Sequence, residues 1–247
     1  MVTHTMSMVV VVSLGAGVLA GWTERPSAAA EASQEAGQAL QGAEDMWAHF
    51  DRAEEIRHAV IVGDMEQVAE PAGWLEANLL SRELPAGSRD YIREIGEQAG
   101  EILEAGDIPA VAAGLGRMGE ACSGCHQAKA LGPEPYDANP VQPSRDIVGH
   151  MDRHLWASNQ LWVGLITPSE KAWMEGAGAL SDEPLGAHEL PSVIAYDLVP
   201  IAERLHELGD LAAQATEPAE RGRLYGQLIA ACGECHTAVW ENRVESE

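Results

Sequence analysis

Apolar side chains return at every third or fourth position through most of this chain, and no segment alternates as a half-buried strand would. Met46, His49, Ala53, Ile56 and Val60 form one such stripe, and Ile147, His150, His154, Ala157 and Leu161 form another. Punctuation by caps, glycines and prolines divides the pattern into eight predicted helices. The first four run from Glu44 to Val62, Asp64 to Leu80, Ser88 to Ala105 and Pro109 to Leu131. Pro71 is expected to disturb the second, and Gly106 to close the third. In the fourth, Asp107 or Ile108 precedes Pro109, whose missing amide is harmless in a first turn. The other four run from Ser144 to Ile166, Pro168 to Leu180, Pro191 to Ala215 and Pro218 to Val244. Pro200 interrupts the third of these, so a later start is expected there.

The pattern is present twice. His49-Phe50-Asp51-Arg52 matches His150-Met151-Asp152-Arg153 at an offset of 101, and Val62-Gly63 matches Val163-Gly164 at the same offset. Between the copies, residues 132–143 carry four prolines and read as a linker that no helix can cross. The expected fold is therefore all-α: two tandem four-helix bundles, over residues 31–131 and 144–247.

All four cysteines fall into two pentads, Cys122-Ser123-Gly124-Cys125-His126 and Cys232-Gly233-Glu234-Cys235-His236, offset by 110. On a helix, residues at i, i+3 and i+4 share one face, so two sulfurs and an imidazole project together. Cys-x-x-Cys-His is the attachment signature of c-type haem: the sulfurs bond the vinyl edges while the histidine ligates the iron. A thioredoxin-like centre would need a strand-to-helix setting that this chain lacks. A zinc held by all four thiolates leaves the two following histidines unexplained, and its knuckles stand closer in sequence. Two covalent haem c groups are expected, on Cys122 and Cys125 and on Cys232 and Cys235, with His126 and His236 as proximal iron ligands.

Only 11 residues follow His236, so no distant downstream methionine can serve the second iron, as it does in small class I cytochromes. A pentad on the fourth helix of a four-helix unit resembles the cytochrome c′ family. That resemblance implies a haem whose distal side faces the first helix of its unit. The tails Gln127-Ala128-Lys129 and Thr237-Ala238-Val239 lack the aromatic and arginine common in that family after the haem histidine. His49 and His150 occupy one register on the two first helices and are the expected sixth ligands, giving bis-histidine irons. Rivals exist: Met46 aligns with Ile147, Met151 with Phe50, and His154 with Ala53. His58 reads as surface, His188 as loop, and His206 as the polar side of a helix. Arg52 and Arg153 can pair with haem propionates or stand in solvent, and the tryptophans read as core.

Met6 to Ala20 is an apolar stretch of signal-peptide length, followed by Ser27-Ala28-Ala29-Ala30, so cleavage is expected after residue 30 and localisation in the periplasm. An uncleaved anchor is the alternative, although the stretch is shorter than the roughly 20 residues of a membrane span. The n-region has neither Lys nor Arg. Loss of residues 1–30 removes Glu24 and Arg25 and leaves the net charge at −24. Two lysines in the whole chain and no basic cluster argue against nucleic acid as a partner. Redox donor and acceptor proteins with basic docking surfaces fit instead, and the bundles can pair within the chain or in a homodimer. The expected role is electron carriage without substrate chemistry. Binding of NO or CO at a five-coordinate haem, as the cytochrome c′ resemblance implies, is the alternative. A dihaem peroxidase would need asymmetric sites.

Overall fold

The computed structural model describes residues 46–79, 87–129, 146–181 and 195–244. The expected signal peptide over residues 1–30, the proline-rich linker over 132–143 and His188 lie outside the described residues. Within them every regular element is a helix. Helix α1 spans residues 46–62 and ends in a Schellman cap: Gly63 N–H donates to Val60 O and Asp64 N–H to Ala59 O, with Gly63 at φ +77°. Asp64 then caps a short 3-10 turn, Met65–Gln67, by accepting from Glu66 N at 2.9 Å.

Helix α2 (Ala69–Leu79) contains Pro71 in its first turn, where no amide is needed, so the proline initiates the helix and does not break it. Helix α3 is Arg89–Glu104, and α4 is Ile108–Ala128, capped by Asp107 accepting from Ala110 N at 2.9 Å. Helix α5 (Ile147–Ile166) begins after Asp146, which accepts from Gly149 N, and α6 (Glu170–Leu180) begins after Ser169, which accepts from Ala172 N. Both start two or three residues later than the sequence suggests, because a capping oxygen outcompetes the upstream Ser144 or Pro168. Helix α7 (Ala195–Ala212) runs through Pro200, and α8 spans Pro218–Val244. No helix among the described residues is long and apolar enough to cross a membrane.

The described residues form one compact unit with a core shared by both repeats. In the first half α2 packs on α3 and α3 on α4; in the second, α5 packs on α6, α6 on α7 and α7 on α8. The halves join where the two pentad helices, α4 and α8, cross. Gly116 lies against the backbone of Gly222, and Gly226 against that of Ala112. An offset of 110 turns one contact into the other, so the crossing is antiparallel and two-fold in its logic. Only residues without side chains beyond Cβ allow two helix backbones this close.

A second junction obeys the same rule. Buried Arg57 of α1 donates to Ser158 Oγ at 3.2 Å and to Asn159 Oδ1 at 2.7 Å on α5, while its other donors hold Glu54. Arg57 and Ser158 are equivalent positions of the two repeats, so α1 meets its own copy. Burial works against the guanidinium charge, but the Tyr225 hydroxyl and Glu54 more than offset it and keep the group charged. The matched pair Val62-Gly63 and Val163-Gly164 illustrates how the repeats have diverged. Gly63 ends α1, whereas Gly164 continues α5 and admits the backbone of Trp173 on α6.

Candidate functional site

The first pentad lies at the C-terminal end of α4, whereas α8 runs on past His236 to Val244, and each pentad borders a cavity. The first cavity, about 330 Å³, is lined by Cys122, His126 and Met118 of α4, by His49, Phe50 and Ala53 of α1, and by residues of α2 and α3. Its wall is completed by Trp162, Val163 and Ile166 from α5 of the other repeat. The second, about 280 Å³, is lined by Cys232, Cys235 and His236 of α8, by Met151, His154 and Leu155 of α5, and by Ile201, Ala202 and Leu205 of α7. There the foreign wall is His58, Ile61 and Val62 at the end of α1. The two volumes sit near the lower bound for enclosed ligand sites, roughly 300 Å³. Each repeat thus lends the end of its first helix to the cavity of the other.

The crossing geometry sets how far apart the cavities are. The contacts Ala112–Gly226 and Gly116–Gly222 centre the crossing near residues 114 and 224, and His126 and His236 each lie twelve residues beyond it. At about 1.5 Å per residue on antiparallel helices, the two imidazoles stand roughly 35 Å apart along the axes.

The thiols are sheltered. Burial, helped by the neighbouring cysteine, pushes Cys122 and Cys232 up to about 12, and burial also raises Cys235. Such thiols are protonated at neutral pH, the opposite of the electropositive, partly exposed setting of a redox-active thiolate. Cys125 is buried, and none of the four forms a disulfide.

The two pentad histidines differ. His236 Nδ1–H donates to the Ile61 carbonyl at 2.6 Å, which fixes the tautomer and leaves Nε2 unprotonated, with its lone pair available to a ligand. His126 Nδ1 is buried with no hydrogen bond among the described residues, and burial lowers its pKa. The residue matching Ile61 at the 101 offset is Trp162, whose ring stacks on Tyr225 at 5.4 Å.

On the distal sides the symmetry weakens further. His49 lines the first cavity, its ring 5.2 Å from that of Trp74, and burial lowers its pKa. In the second cavity the histidine brought to the wall is His154, where the first repeat has Ala53. His150 lies beside it, ring centroids 4.4 Å apart. His58 is exposed, as expected. His206 is not on a polar face: it is 6% exposed, and its ring lies 5.4 Å from that of His154. It follows Ala202 by four residues and precedes Gly209 by three, both buried. Gly209 fits against Leu180, so the close approach of α7 to α6 carries the imidazole inward. Burial and three neighbouring imidazoles, His150, His206 and His236, lower His154 to about 3. Helical spacing on α5 points to the pair His150 and His154; nothing in the sequence pairs them with His206.

Arg52 is held by Glu55 at 2.7 Å and Glu70 at 2.9 Å and lies over the Trp74 ring. Trp162 and Trp173 are core residues, and Trp173 Nε1–H donates to Ala212 O at 2.8 Å. No protein-family model, curated protein or solved structure matches the chain.

Proposed function

We propose that this chain is an exported dihaem c-type cytochrome that carries single electrons between protein partners. The observation that carries the reading is the coincidence of two Cys-x-x-Cys-His pentads with two cavities, each bordered by pentad cysteine and histidine and by a histidine from the first helix of the same repeat. The donor set suits the group: sheltered neutral thiols for thioether formation, and His236 already oriented through Nδ1. Haem would supply the one-electron chemistry. The chain's own residues would hold the porphyrin edges through Cys122 and Cys125 and through Cys232 and Cys235. His126 and His236 would ligate from one side. His49 would ligate the first iron from the other side; at the second, His154 lines the cavity and competes with His150 for that role. Each haem would sit in a bundle completed by the other repeat's first helix, which makes the two bundles one body. The strongly acidic surface, with a net charge of −24, would steer basic partners.

Binding of NO or CO is the second reading. It is favoured at the first cavity, whose wall of Phe50, Ala53, Leu75, Ile92 and Ile95 is apolar and would admit an uncharged diatomic molecule. One set of experiments separates the two. The full chain is expressed with a c-type maturation system, haem is counted by pyridine haemochrome, and oxidised spectra are recorded. Two covalent haems with low-spin signals that resist carbon monoxide support electron carriage. A high-spin, carbon monoxide-binding population at the first site moves the function to gas binding, and absence of covalent haem ends both readings.

A further inference from the structure

His150 and His154, one turn apart on α5, meet His206 of α7 beside the second cavity. Their ring centroids are separated by 4.4, 5.4 and 5.9 Å. One ligating nitrogen from each can be chosen so that all three lie within 4.8 Å of one another. Two histidines at i and i+4 are the spacing by which a helix offers two ligands to one ion. A third from a packed neighbour completes a triangular face. Zinc–nitrogen bonds of about 2.0–2.1 Å in a tetrahedral site need nitrogens roughly 3.4 Å apart, a contraction that small side-chain rotations supply.

The environment also suits a cation. Both ring nitrogens of buried His206, and Nε2 of His154, lack a hydrogen bond of ordinary geometry among the described residues. Buried polar nitrogens are seldom left so unless another group satisfies them. The Leu180 carbonyl lies close to the His206 ring, where it can accept the N–H of one ring nitrogen and leave the other to ligate. Asp210, one turn beyond His206, adds a nearby negative charge. The first repeat has Ala53 where the second has His154, so this arrangement belongs to the second half only.

We propose that His150, His154 and His206 form a binding site for one first-row divalent cation of the imidazole-preferring class, zinc or copper, distinct from the pentads. Three neutral imidazoles select such ions over magnesium and calcium, which want oxygen. The three ligands leave a coordination position for water, and the ion ties α5 to α7. With the cation bound, neither His150 nor His154 remains for the second iron, so the site and a bis-histidine second haem exclude one another.

The test uses the mature full chain, stripped by chelator and titrated with Zn²⁺ by calorimetry, with haem counted on the same sample. One zinc is expected per chain, with affinity reduced on the order of 100-fold or more in His206→Gln, since loss of a ligand costs at least as much as loss of its supporting shell. His150→Gln, at a half-buried position, should show the same loss and covers the case in which the His206 variant does not fold. Absence of binding, or zinc that survives both substitutions and is therefore held elsewhere, overturns the proposal. Two haems without zinc would remove this site and leave the cytochrome reading; one histidine-dependent zinc without haem would do the reverse.

Discussion

Gly116→Val tests the crossing on which the relative position of the two pentads depends. A Cβ at Gly116 meets the carbonyl of Gly222, and a side chain there must push α8 away or bend both helices. The obstacle is backbone, so no rotamer change relieves it. Overpacking typically costs about 1–3 kcal/mol, and rigid surroundings favour the upper end. Leaving glycine within a helix returns only about 0.5 kcal/mol, because valine is itself a moderate helix former. The net loss is about 1.5–2.5 kcal/mol. For a unit of this size each kcal/mol shifts Tm by roughly 2–4 °C, so the midpoint of thermal unfolding followed by circular dichroism should fall by about 3–10 °C. Gly178→Ala on α6 is the control, because its Cβ meets nothing within 4 Å. It should gain about 0.5–1 kcal/mol from reduced chain freedom and melt slightly higher. A Gly116→Val protein that melts no lower than the parent, with the control behaving as expected, would show that α4 and α8 do not touch, and the separation of the cavities derived from that contact would fail with it.

Other consequences can be checked with the same preparations. Arg57→Ala removes the charged clamp between α1 and α5; loss of its charge-assisted bonds should cost about 2–3 kcal/mol in urea unfolding, and an unchanged midpoint would mean the clamp is absent in solution. Glu120 is raised by partial burial and by Glu94, so its folded pKa lies above its unfolded one. Its contribution is then fully favourable below the unfolded value and is lost as pH rises through the folded one. Glu120→Gln should therefore be more stable than the parent at pH 7 and lose that advantage near pH 4; equal differences at both pH values would contradict the sign. On the proposed dihaem reading, His49→Ala should convert one haem of two to high spin in the oxidised spectrum, and an unchanged spectrum removes His49 as a ligand. On the same reading, with the pentad imidazoles roughly 35 Å apart, the two irons should give additive paramagnetic signals; spin coupling between them would place them much closer.

The helices were legible because capping and periodicity are local. Asp107, Asp146 and Ser169 each cap a helix within three residues of the expected start. Pro71 and Pro200 look like disturbances in the sequence, since a proline's effect depends on its distance from a helix start that the chain's neighbours decide. Pro71 turned out to open α2, and Pro200 lies inside α7. The pentads are visible in the sequence because each is five consecutive residues, and the cavity beside each is visible only in the fold. The burial of His206 is not legible for the opposite reason: it follows from Gly209 letting α7 close on α6, a tertiary contact with no periodic signature.

Repeat symmetry explains both what the sequence suggested and what it concealed. Equivalent residues meet across the molecule, Arg57 with Ser158 and the glycines of α4 with those of α8, as in a self-complementary dimer folded into one chain. In such an arrangement each copy can complete the other's cavity, and alignment of the copies cannot reveal which helix end crosses over. Once both copies reside in one chain, each site is free to diverge without disturbing its twin. The exchange of Ala53 for His154 is one such divergence. It adds an imidazole to the second cavity wall, next to His150, which matches His49, and to His206, which the fold supplies from α7. Equal register on the two first helices, which gives His49 and His150 one expected role, does not bring equal surroundings. The distal side of the second cavity breaks that equality, so its ligand has to be established separately from that of the first.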